Sequence, residues 1–268
     1  MHEHHAHHTS SSTLGEYIPL IVLALLAVLY LAAVWQLRPT HRSWNSWRTL
    51  SFMSGMVLLA VAGSPAMMSY AHQDFRGHML MHLLIGMLAP LGLVLGAPIT
   101  LALKSLSPPA ARTLTTILRS SVFYFLSHPI TALLLNIGGM YVLYLTPLYN
   151  ATFTSPALHH LVHIHFLAAG YLFTWSIAGP DPAPRRPSLG LRVGVLFFSI
   201  AAHAYLSKFM YAYLYPLHSP HPAEEIRAGA KLMYYGGDLS ELLLAVALFT
   251  IWYQKRQHPR YRANLLLD

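Results

Sequence analysis

Among the ionisable side chains inside long apolar runs, where such groups are costly and need a partner or a function, five histidines and one aspartate stand out. They are His78, His82, His159, His163, His203 and Asp238. His78 and His82 are four residues apart, as are His159 and His163. On a helix that spacing stacks two imidazoles on one face, the arrangement by which a single helix offers two ligands to one metal ion. Asp238 and Glu241, three apart, also share a face and are able to supply an oxygen ligand or to orient an imidazole by accepting its second N–H. Imidazole alone serves copper, zinc and nickel. Met67, Met68, Met79, Met81 and Met210, close to the ends of the same runs, add soft thioethers that suit Cu(I). The chain has no cysteine, so any metal must be held by His, Met, Asp or Glu. One such pair, or one methionine, is equally explained by packing, and Lys208 is an alternative ion-pair partner for Asp238. What favours a metal is the convergence of several such groups.

The elements that must bring these residues together are membrane helices. Hydrophobic residues make up 55% of the 268 and charged residues only 10%, against roughly a quarter charged in a soluble domain. Runs of about 20 apolar residues, enough to cross ~30 Å of hydrocarbon, extend over Tyr17–Leu37, Leu50–Tyr70, His78–Leu103, Phe123–Leu145, Ala157–Ala178, Val193–Tyr213 and Gly229–Tyr253. Proline-rich, glycine-rich or basic connectors separate them. The expected fold is therefore an all-α integral membrane protein, a bundle of seven transmembrane helices at 17–253. A histidine-rich tail at 1–16 precedes it and a basic tail at 254–268 follows. The first run is too long, and lacks the basic flank, for a cleavable signal.

Of the 17 Lys and Arg residues, all but Arg76, Lys208, Arg227 and Lys231 fall on the side of the odd-numbered connections. The positive-inside rule then puts the N-terminus outside and the C-terminus in the cytoplasm. With that orientation His82 and His163 lie ~9 Å below the outer surface, Asp238 ~13 Å and His203 ~15 Å. Four helices thus carry ligand-type side chains to similar depth. His128, before Pro129, lies near the opposite face. The first eight residues, Met1-His2-Glu3-His4-His5-Ala6-His7-His8, fall outside and read as a metal-gathering arm if they are not a purification tag. The basic residues are dispersed between apolar runs rather than gathered on one solvated surface, which sets nucleic acid aside despite a net charge of +8.

Several segments, in order, resemble the CtaG-type cytochrome c oxidase assembly factors, seven-helix membrane proteins that handle copper. They are Gly77-His78-Met79-Leu80-Met81-His82-Leu83-Leu84 running into Leu88-Ala89-Pro90 and Gly96-Ala97-Pro98; His128-Pro129; Tyr144-Leu145-Thr146-Pro147-Leu148-Tyr149; His159 through Gly170; Asp181-Pro182-Ala183-Pro184; His203-Ala204; and Tyr234-Tyr235-Gly236-Gly237-Asp238-Leu239-Ser240-Glu241. Many relatives carry a Trp-His pair where this chain has Tyr144-Leu145-Thr146, which removes a ligand from the fourth helix. The resemblance implies a multi-pass protein of the bacterial plasma membrane, in contact with lipid, that helps deliver copper to the heme-copper centre of a cytochrome c oxidase subunit. No nucleophile with a base, phosphate loop or dinucleotide fingerprint is present, so the chain reads as a non-enzyme. Rival readings are a zinc-dependent membrane hydrolase, a bis-His heme electron-transfer protein and a copper transporter, which should carry its ligands on to the inner side. The oligomeric state is not legible.

Overall fold

The computed structural model describes residues 13–37, 44–183 and 185–257, with side chains from Tyr17 onward. The histidine arm and most of the basic tail lie outside the described residues. All regular structure in the described residues is helical. In chain order it comprises α1 (Thr13–Leu37), α2 (Ser46–Ala62), α3 (Pro65–Gln73), α4 (Phe75–Leu83), a π-helical turn at Leu84–Leu88, α5 (Ala89–Leu95), α6 (Pro98–Ser105), α7 (Pro108–Arg119), α8 (Ser121–Leu126), α9 (Pro129–Leu133), a second π turn at Leu134–Gly138, α10 (Gly139–Leu145), α11 (Leu148–Thr154), α12 (Pro156–Ala178), α13 (Leu189–Tyr213) and α14 (Ala223–Gln257).

Five stretches are long and apolar enough to cross a membrane: Tyr17–Leu37, Phe75–Ser105, Pro156–Ala178, Leu189–Tyr213 and Ala223–Gln257. Two bent pairs raise the number to seven if each is one span: α2 with α3, at 56°, and Pro129–Leu145 with α11, at 75°. The first bend has a local cause. Ser64 is extended and its hydroxyl accepts from Met67 N at 3.3 Å, while Pro65 starts α3 without needing a hydrogen bond at its nitrogen. Asp74 then caps α4 by accepting from Arg76 N at 2.8 Å and pairs with the Arg76 guanidinium, which holds its carboxyl below the usual carboxylate range. Proline also corrects the expected fourth span. It starts at Pro129 rather than Phe123, because His128 ahead of the proline is extended (φ −69°, ψ 134°) and separates the short α8 from α9.

Small residues let the helices approach closely. α12 lies against the first π turn at Gly170, where an added Cβ would collide with the Gly86 carbonyl oxygen and stand 2.9 Å from its carbon. The second π turn is tied to the same helix, since His165 Nε2 donates to Leu135 O at 3.0 Å. At the other end of α12, the connector to α13 is pinned by buried Asp181. Its carboxylate accepts from Thr100 N at 2.7 Å and from Thr100 Oγ1 at 2.6 Å, at the start of α6. Burial raises the Asp181 pKa, and the Thr100 bonds oppose that rise.

Candidate metal centre

The described side chains bring the predicted histidines to one end of the bundle without closing them into a single coordination sphere. His78, His82 and His163 line one chamber together with Met81, Leu143, Val162 and Phe166. The chamber has a volume of about 10 Å³, at the lower limit for one water. His159 stands next to His163, ring centroids 4.3 Å apart, and against His72 of α3 at 4.9 Å. His203 is fully buried on α13 with its ring against α14 at Gly237, where a Cβ would collide with it. Among the described residues, no three His, Asp or Glu side chains are close enough to hold one ion as they stand.

The donor atoms are nonetheless unspent. His82 Nε2, His159 Nε2 and both ring nitrogens of His203 are buried without a hydrogen-bond partner in the protein. Buried polar atoms normally find a partner, and each orphan costs about 1–3 kcal/mol. Four orphaned nitrogens from α4, α12 and α13 therefore fit a group supplied from outside the chain. His78 differs in that its Nε2 lies 3.2 Å from Tyr144 Oη. The fourth apolar run thus contributes a phenol in contact with the histidine pair. His165 spends its Nε2 on the second π turn and His160 is exposed, so neither joins the cluster.

The two carboxylates differ in burial. Asp238 is only half-buried, whereas Glu241, one turn on, is 2% exposed, with the Ser199 hydroxyl as a polar neighbour but no hydrogen bond of ordinary length at either oxygen. Residues three apart differ by 60° around the helix, so one faces the interior and the other its edge. Glu241 lines a second cavity, about 20 Å³, with Asn136, Thr174, Ser199 and Ser240, one turn deeper than His203 on α13 and Gly237 on α14. The alternative Lys208–Asp238 pair is not formed; Lys208 Nζ lies 5.1 Å over the Tyr234 ring.

Sequence reasoning missed two further members. His72 stands outside the apolar runs, at the end of α3, and only the bend after α2 carries it to His159. His221 bridges Tyr149 Oη, 3.0 Å from its Nε2, and Glu225 Oε2, 3.3 Å from its Nδ1, fastening α11 to the start of α14 beside Phe75. The methionines divide by face. Met81 reaches the chamber and packs in one cluster with Met67 and Met68, while Met79 and Met210 belong to the main core.

A family model described as the cytochrome c oxidase caa3 assembly factor (Caa3_CtaG) matches residues 28–255. Among curated proteins, an uncharacterized protein of Mycobacterium leprae (strain TN) is 37% identical over 188 residues, and uncharacterized proteins of Mycobacterium bovis and Mycobacterium tuberculosis are 39% identical over the same length. Each match covers 68% of this chain and 28% of the relative, so the chain spans little more than a quarter of the proteins it resembles. No solved structure matches.

Proposed function

The chain belongs to the cytochrome c oxidase caa3 assembly factor family, and from that premise we propose that it carries copper to the oxidase within the membrane, binding the ion among His78, His82, His159, His163 and His203, with Asp238 or Glu241 balancing charge. The observation that carries this reading is the set of orphaned, buried imidazole nitrogens at one end of the bundle. Copper is cargo here. A transfer site needs ligands that are present but not locked into an ideal sphere, and buried imidazoles with unspent nitrogens meet that requirement. Met67 and Met68 pack against the cluster that contains Met81, which lines the chamber, and these thioethers suit the passage of Cu(I) inward from the edge.

The two bent pairs count as spans in this reading, giving seven helices with the N-terminus outside and the C-terminus in the cytoplasm of a bacterium. The histidine cluster then faces outward. The chain acts as a carrier and not as an enzyme, and the oxidase subunit receiving the ion is its partner.

Elemental analysis of detergent-purified protein lacking its first eight residues tests this, comparing the parent with a His82→Ala, His163→Ala variant after exposure to Cu(I). Stoichiometric copper in the parent, lost in the variant, is the expected result. Zinc in place of copper would move the reading to the hydrolase, and equal copper in both proteins would refute the site.

A further inference from the structure

A cavity far larger than the two described above lies away from the histidine cluster. It has a volume of about 350 Å³ and opens among α7, α8, the start of α9, the end of α12 and the connector to α13. Its lining includes Arg119, Arg185 and Arg186 with Phe123, Tyr124 and Trp175, and among the described residues no Asp or Glu side chain lines it. The cations are placed rather than merely scattered. The Arg185 guanidinium lies 5.5 Å over the Tyr124 ring and that of Arg186 5.7 Å over Trp175. Arg186 is further anchored by donating to the carbonyl oxygens of Gly179 and Asp181. Burial pulls the Arg186 pKa down to about 10, so it stays cationic at neutral pH.

Two further observations identify what such a recess would take. The indole Nε1–H of Trp175, a residue 5% exposed, is buried at the cavity with no acceptor in the protein. A donor left over beside three guanidinium groups calls for an anion with several acceptor oxygens, and phosphate is the group that arginine clusters recognise best. Apolar side chains stand exposed on the adjoining helices: Ile117 on α7, and Val122 and Phe125 on α8, the last two 69% and 63% exposed. α7 itself is 12 residues long, too short to span, with Arg112 and Arg119 set against an apolar face. A basic amphipathic helix of this kind lies in the plane of the interface, at headgroup depth. An acyl chain has a greasy path beside the cavity, whereas a free anion has no use for one.

We propose that this recess is a binding site for the phosphate headgroup of an anionic phospholipid of the inner leaflet, held by Arg119, Arg185, Arg186 and the Trp175 indole, with its acyl chains along α7 and α8. Basic pockets between membrane helices on the cytoplasmic side are the usual seats of such headgroups. The site is independent of the copper reading, and its place in the inner leaflet rests on the orientation proposed above.

Native mass spectrometry of the full chain, delipidated in detergent and titrated with phosphatidylglycerol or phosphatidylcholine, tests it. The expected result is one retained phosphatidylglycerol bound at least about tenfold more tightly than phosphatidylcholine, with that preference abolished in Arg119→Gln, Arg185→Gln protein; two arginines at an anionic lipid surface are together worth that factor or more. Trp175→Phe, which keeps the ring and removes only the N–H, should weaken phosphatidylglycerol several-fold, and it serves as the test if the double variant does not fold. Lys208→Gln, at the other end of the bundle, should change nothing. Equal binding of the two lipids, or phosphatidylglycerol retention unaffected by the variants, overturns the proposal. Displacement of the lipid by equimolar inorganic phosphate also overturns it, in favour of a site for a small free anion.

Discussion

Gly170→Ala is the substitution for which the fold makes the sharpest quantitative demand. In a helix interior, alanine normally gains about 0.5–1 kcal/mol over glycine through reduced backbone entropy. At Gly170 the new Cβ would run into the Gly86 carbonyl oxygen, with Pro90 Cγ 3.2 Å away. The obstacle is main chain and cannot swing aside, so α12 has to move off the first π turn. Overpacking of this kind costs ~1–3 kcal/mol, and an immovable partner places it at the upper end. The net effect is a loss of about 2 kcal/mol, or roughly 4–8 °C in the thermal midpoint at about 2–4 °C per kcal/mol for a domain this size. Gly194 on α13 is the internal control, since nothing lies within 4 Å of an added Cβ there. Gly194→Ala should therefore raise the midpoint by ~1–4 °C. Thermal unfolding of both variants in one detergent, followed by circular dichroism, measures the contrast. A Gly170→Ala midpoint at or above that of the parent would refute the claimed backbone contact. Because Gly86 is one turn from His82, the same variant should also retain less copper.

Other perturbations separate structural from site roles. Glu241→Gln keeps the shape of a buried carboxyl whose polar neighbour is the Ser199 hydroxyl, with no hydrogen bond of ordinary length, so stability should change by less than about 1 kcal/mol; a larger loss in melting assays would mean that the carboxylate pairs with a bound cation or water. Tyr149→Phe takes away the group paired with His221 Nε2 and should cost ~1–3 kcal/mol by leaving that nitrogen unsatisfied, whereas Phe153→Leu nearby should cost less. Asp74 has a folded-state pKa held below its unfolded value by Arg76, so its contribution is present above the ordinary carboxylate range and is lost as pH falls through the lowered value. Asp74→Asn should accordingly be less stable than the parent at neutral pH and converge with it in acid. A gap that persists or widens on acidification in parallel melts would contradict that sign.

Much of this architecture was legible because continuous apolar runs leave little choice. α1, α12, α13 and α14 follow directly from composition and length, and the HxxxH spacings correctly put His78 with His82, and His159 with His163, on shared faces. Two features escaped for identifiable reasons. The π turns occupy Leu84–Leu88 and Leu134–Gly138, whose residues are ordinary helix formers apart from their glycines, so nothing local distinguishes i+5 from i+4 bonding. His72 and His221 reach the cluster through bends and long-range packing, and no spacing along one helix reports that. Which of Asp238 and Glu241 is the more buried turned on the rotation of α14 about its axis, a quantity fixed by its neighbours.

The π turn between His82 and Pro90 has an evolutionary and engineering meaning. Each residue in an α-helix advances the side-chain direction by about 100°, and a π turn absorbs roughly one residue more than an α turn. It acts as a phase shifter. Upstream, His78 and His82 are set toward α12, while downstream Gly92 is set toward α2, where its Cβ would meet Gly55. Deleting one residue from Leu84–Leu88 would remove the extra residue of the π turn and force a choice between the two settings, either turning the histidine pair away from its partners or unseating α5 from α2. The histidine-bearing half and the packing half of this span are thereby free to be tuned separately, with one inserted residue as the clutch between them.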